Sequence, residues 1–142
     1  MDKLVTRQTR ETESLRKAYA ALNSGDIAGF VENFDPDIVR TEHFDFSSTG
    51  TYRGIAAVTE NATEGRSSWA EGGCEPERFV VEGDKAIVFV HVRVRLKGRT
   101  EWIDDRIVDG FRFRDGKVIE FRSFLKEHEA MEWAGIEAPE TN

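Results

Sequence analysis

One cysteine, three histidines and no long apolar run mark what this 142-residue chain does without. Cys74 alone cannot form an internal disulfide, so a reducing cytoplasm is the expected compartment. No apolar stretch approaches the roughly 18 residues of a membrane helix, so no membrane partner is expected. The first ten residues are polar and lack the apolar segment of a secretory leader. Positive charge is in the minority. Twenty Lys and Arg against 27 Asp and Glu leave a net charge of −7, which disfavours nucleic acid as a partner. His43, His91 and His128 are scattered, and in Glu42-His43-x-Asp45 consecutive strand residues diverge, so no metal site is expected. Neither a G-x-S-x-G elbow nor a phosphate-binding loop is present. Cys74 precedes Glu75 and Glu77, whose negative charge makes the thiol a weak nucleophile.

What is present suits one globular domain spanning residues 1–142. Apolar residues make up 39% and ten Phe supply bulk for a core. Leu15, Ala18, Tyr19 and Leu22 lie on one helical face, and the helix should end at Asn23-Ser24-Gly25. Asp26 should cap a second short helix reaching Phe34, stopped by Asp35-Pro36-Asp37. A short strand from Ile38 to Glu42 follows, then a loop from His43 to Tyr52. A third helix is expected from Ile55 to Trp69, broken by Gly72-Gly73. The remainder reads as strands near 77–81, 86–96, 101–114 and 118–125, joined by Gly-containing turns, with a last helix over 126–134. Helices followed by a long-stranded meander predict an α+β domain: a cone-shaped α+β barrel whose curved, mostly antiparallel sheet wraps three helices.

Strand parity selects candidate site residues. In the strand over 86–96, Val88, Val90, Val92, Val94 and Leu96 share one face, expected inward. Phe89, His91, Arg93 and Arg95 share the other, expected outward. In the next strand the more apolar face carries Ile103, Asp105, Ile107, Asp109, Phe111 and Phe113. Two carboxylates, Asp105 and Asp109, are thereby placed on an inward apolar face, where charge is unfavourable unless paired or neutralised. Glu42, at the end of the short strand, is a third candidate: a general base at the pocket mouth. The outward arginines are interleaved with acids, so cross-strand ion pairs explain them better than nucleic acid does.

Two segments, "AYAALNSGDIAGFVENFDPDIVRTE" and "IVDGFRFRDGKVIEFRSF", resemble the nuclear transport factor 2-like superfamily. Its members include ketosteroid isomerase, SnoaL-like polyketide cyclases, scytalone dehydratase, limonene epoxide hydrolase and many non-enzymes. The resemblance implies the cone fold and, by counting along the chain, places the isomerase's catalytic base on Glu42. It places the oxyanion-hole aspartate on Asp109. The oxyanion tyrosine falls on Ala18, and Tyr19 lies one place along, about 100° around the helix. Limonene epoxide hydrolase needs an arginine and aspartates on one inward face, which the parity above does not supply.

The expectation is therefore a cofactor-independent acid/base enzyme on an apolar, cyclic carbonyl compound. Glu42 would take a proton, Asp109 would donate a hydrogen bond to the enolate, and Asp105 would raise the Asp109 pKa by repulsion. Tyr19, Phe44, Phe46, Tyr52, Trp69, Val90, Ile107 and Phe111 would line the pocket. Alternatives are a non-catalytic module that binds a ligand or partner in the same cone, and an interaction domain working through its Arg-rich face. A homodimer through that convex face is expected, since mixed aromatic and Arg content is typical of interfaces.

Overall fold

The computed structural model describes residues 3–42 and 50–137, with side chains from residue 9 onward. Helix α1 (Lys3–Ser24) leads, followed by α2 (Ile27–Val31), β1 (Phe34–Glu42), β2 (Gly50–Arg53) and α3 (Ile55–Ser67). Then come β3 (Trp69–Glu82), β4 (Lys85–Leu96), β5 (Trp102–Arg114), β6 (Lys117–Phe124) and α4 (Glu127–Ala134). No described helix is long and apolar enough to cross a membrane.

The six strands form one sheet in the order β2-β1-β6-β5-β4-β3. Only β1 and β6 run parallel; every other pair is antiparallel. The α+β class and the mixed sheet match expectation, but the barrel does not. The sheet is open, because β2 and β3 each have one strand neighbour and never meet.

Helix α1 buries Leu15, Ala18 and Tyr19, the predicted face, and ends before Gly25 at φ +82°. Asp26 caps α2, its Oδ1 accepting from the Gly29 N–H at 2.9 Å. Three boundaries differ from the sequence reading. Phe34 opens β1 rather than closing α2, and its ring packs on Phe30 and Phe121. Tyr52 lies in a strand, not a loop. Trp69 begins β3, and the Gly72-Gly73 pair sits inside that strand instead of breaking a helix. Pro36 and Pro76 both fall where the strand register shifts, the place in a sheet that tolerates a missing donor.

The expected aliphatic face of β4 is buried: Val88, Val90, Val92 and Val94 are at most 9% exposed. The opposite face is only partly open. Helix α4 packs on it, and Ile87 and Val108 join Ala130, Met131 and Ala134 in a second core. Beyond α4, the arginines are satisfied in cross-strand pairs, Arg95–Glu71 at 2.7 Å and Arg106–Glu77 at 3.0 Å.

Candidate active site

The register of three strands builds the site. On the face toward the helices, β5 and β6 pair Asp109 with Ser123 and Phe111 with Phe121. Strands β6 and β1 pair Phe121 with Arg40 and Arg122 with Thr41. One residue further along β1, Glu42 comes level with Ser123. Two rows therefore cross the sheet: Asp109–Ser123–Glu42, and beneath it Phe111–Phe121–Arg40, which Tyr52 of β2 extends. The second row is an aromatic floor. Phe111 and Phe121 stack at 4.6 Å, and the Arg40 guanidinium lies 3.8 Å from the Phe121 centroid.

Above the rows stands Tyr19 of α1. Its hydroxyl donates to Asp109 Oδ2 at 2.5 Å, while Ser123 Oγ donates to Oδ1 at 2.7 Å. Both carboxyl oxygens are thus held, and Asp109 is buried at 4% exposure. Burial raises its pKa above the usual carboxylate range, and the Glu42 charge adds to the rise. Arg40 and the two hydroxyl donors act the other way. Tyr19 is pushed well above a free phenol by burial and by Asp109. Burial lowers Arg40, opposed by the charges of Asp109 and Glu42.

These groups line a cavity of about 420 Å³, within the range of small-molecule sites. Leu22, Trp69, Val92, Ile103 and Ile107 form apolar walls, while Glu64, Arg66 and Asp105 add charged groups. A larger groove of about 940 Å³ lies between α1, α2 and the turn at Asp115-Gly116. The smaller cavity is the candidate site because Tyr19, Arg40, Cys74 and Asp109, all with displaced pKa values, line it and none lines the groove. Among the described residues no cluster of three or more His, Cys, Asp or Glu is placed to hold a metal ion.

The structure brings together Glu42, Asp109, Tyr19, Tyr52, Trp69 and Ile107 around this cavity. Asp105 also lines the cavity, but it is exposed, its Oδ1 accepts from the Arg106 N–H, and it stands four positions along the strand from Asp109, about 13 Å, too far for the expected tuning. The charges that act on Asp109 are Arg40 and Glu42. Val90 and Phe111, each 1% exposed, belong to the core behind the cavity wall. Phe44 and Phe46 lie outside the described residues. The thiol of Cys74 is pushed up to about 12, first by burial and then by Asp109, so its weakness as a nucleophile does not come from Glu75 and Glu77.

Of the residues in the two rows, the sequence reading misses Arg40, Ser123 and Phe121. The signal for Arg40 was parity. Ile38, Arg40 and Glu42 alternate along β1, and all three are buried on one face. An inward arginine beside carboxyls therefore exists, and its supposed absence no longer separates this chain from limonene epoxide hydrolase.

A family model described as a SnoaL-like domain matches residues 15–121. Comparison with curated proteins found no match. Solved structures share the fold. TerC, co-crystallised with polyporic acid, is 22% identical, with a TM-score of 0.72 over 87% of this chain and 98% of its own. Bal32a, from a soil-derived mobile gene cassette, is 20% identical, with a TM-score of 0.75 over 92% and 98%. A hypothetical protein with a ketosteroid isomerase-like fold from Catenulispora acidiphila DSM 44928, in complex with trimethylamine, is 12% identical, with a TM-score of 0.71 over 92% and 98%.

Proposed function

Because the chain belongs to the SnoaL-like domain family, we propose that it is an acid/base catalyst acting on an apolar, cyclic carbonyl compound in the cavity. One observation carries the reading: a buried carboxyl, Asp109, held on both oxygens by hydroxyl donors and level with a second carboxyl, Glu42. Glu42 takes the proton next to the substrate carbonyl. In this mechanism Asp109, whose pKa burial raises, is protonated and donates a hydrogen bond to the enolate oxygen as charge develops there. A protonated carboxyl keeps acceptor capacity, so Tyr19 and Ser123 hold its orientation while its own proton faces the cavity. Ketosteroid isomerase is a precedent for a neutral aspartic acid donor at neutral pH. Two similar structures carry small molecules, which supports a small-molecule site here.

The test is hydrogen–deuterium exchange at the α-carbon of 2-tetralone in D₂O, followed by NMR. The intact protein accelerates exchange, Glu42→Gln abolishes the acceleration, and Asp109→Asn reduces it about 100-fold or more. No acceleration favours a non-catalytic ligand-binding module; acceleration that survives Glu42→Gln removes Glu42 as the base.

A second copy of the chain is the proposed protein partner, docking on the outward sheet face beyond α4. Trp102 there is 38% exposed, with Arg93 over its ring at 4.3 Å.

A further inference from the structure

Arg40 takes no part in the acid/base reading, although it stands in the two rows that hold Glu42 and Asp109. A buried guanidinium stays charged and needs an anion or several acceptors nearby. Asp109 and Glu42 both act on it electrostatically. Yet among the described residues it hydrogen-bonds neither. Its Nη1 donates to the Thr41 carbonyl at 2.8 Å, and its face rests on Phe121. The side chain lines the cavity beside Glu42 and Asp109. A planar fork of donors, fixed from behind by a carbonyl and an aromatic ring, matches a carboxylate in shape and charge.

Strand geometry gives the spacing. Between Cα positions, Arg40 and Glu42 are two residues apart on one strand, about 7 Å; Asp109 lies two strands across from Glu42, about 10 Å, and on the diagonal from Arg40, about 12 Å. The inward side chains close part of those gaps and leave room for one or two fused rings. Resting on the acid/base reading, we infer that the substrate is a cyclic keto acid whose carboxylate docks on Arg40, one ring's width from the carbonyl that faces Asp109. Arg40 and Glu42 are of opposite sign, Arg66 offsets Glu64, Asp105 is exposed to water, and Asp109 is protonated in this reading; a docked carboxylate adds one negative charge beside it. That charge also favours the protonated form of Asp109, so binding itself prepares the donor.

The experiment is calorimetric titration with 2-naphthoate and its neutral isostere 2-naphthamide, near neutral pH and at fixed ionic strength. The intact protein binds the carboxylate about tenfold or more tighter than the amide, the value of a charge-assisted hydrogen bond. Arg40→Met removes that preference, and Arg40→Lys keeps part of it, with folding of each variant checked by near-UV circular dichroism. Equal affinity for the two ligands, preference for the amide, no binding of either, or a ratio unchanged by Arg40→Met would overturn the inference. If Arg40→Met does not fold, the ratio in the intact protein and in Arg40→Lys decides. The 2-tetralone experiment uses a neutral ketone and other residues, so proton transfer and carboxylate selection fail independently.

Discussion

In the proposed mechanism Asp109 is the hydrogen-bond donor, and its burial bears on the stability of the fold. Its pKa is raised in the folded protein, chiefly by burial, so the native state binds its proton more tightly than the unfolded chain does. The contribution to stability is fully present below the unfolded value, near 4, and is lost as pH rises through the folded pKa. Asp109→Asn keeps the shape without the charge. We predict that its thermal midpoint gains on the parent as pH climbs from 4 to 8, read by calorimetry; a gain that shrinks with pH would contradict the electrostatic account. Asp109 was legible in the sequence because parity put a carboxyl on an apolar face. Arg40 was not. An arginine in a short polar strand looks solvated until its stacking partner, Phe121 on β6, is brought beside it by parallel pairing. Tyr19 reaches Asp109 although it lies one helical position from the place the resemblance assigns to a tyrosine. The axial rotation of α1, which sequence alone does not fix, decides that contact.

At the scale of elements, α1 and the start of α2 are legible in the sequence and strand β3 is not. Leucine spacing, Gly25 and Asp26 marked α1 and α2. Strand β3 was read only from 77 to 81, because paired glycines ordinarily punctuate. Gly72 instead has φ +100°, and a Cβ there would sit 2.0 Å from the Arg93 carbonyl oxygen. It is the close approach that lets β3 hug β4, and the strand continues through it. Long-range packing of this kind has no local mark. Arg66 of α3 is another such tie. Its Nε and Nη2 donate to the Leu22 and Asn23 carbonyls, at 2.7 and 3.0 Å, where α1 ends and its dipole is negative. Asn23 in turn bonds both the N–H and the carbonyl of Cys74 on β3. Arg66→Ala should cost about 1–3 kcal/mol in urea unfolding. A change within error would show that the cap does not hold the cavity wall.

At the scale of the molecule, one sheet serves two cores. The larger encloses the cavity between the sheet and α1 to α3; the smaller lies under α4 on the other side. The α+β class, the mixed sheet and the inward face were readable from element order and alternation. The open edges were not, because closure depends on how far the sheet curls. The position of α4 is also hidden: Phe89, expected outward, is on that face but packs against the core that Ile87 and Val108 form with the helix. That cover confines the proposed dimer face to the strip around Trp102. Sedimentation velocity should show a dimer for the intact chain and a monomer for Trp102→Glu; a monomer in both would remove the second copy as partner.

The central claim is that Asp109 is a neutral acid at the pH where the protein works. Carboxyl carbon NMR on labelled protein, titrated from pH 4 to 9 with Asp109→Asn to assign the signal, measures this directly. The account predicts that Asp109 stays protonated at neutrality and titrates above it. A normal or lowered pKa would leave Asp109 an ionised partner of Arg40 and would contradict the proposed donor role.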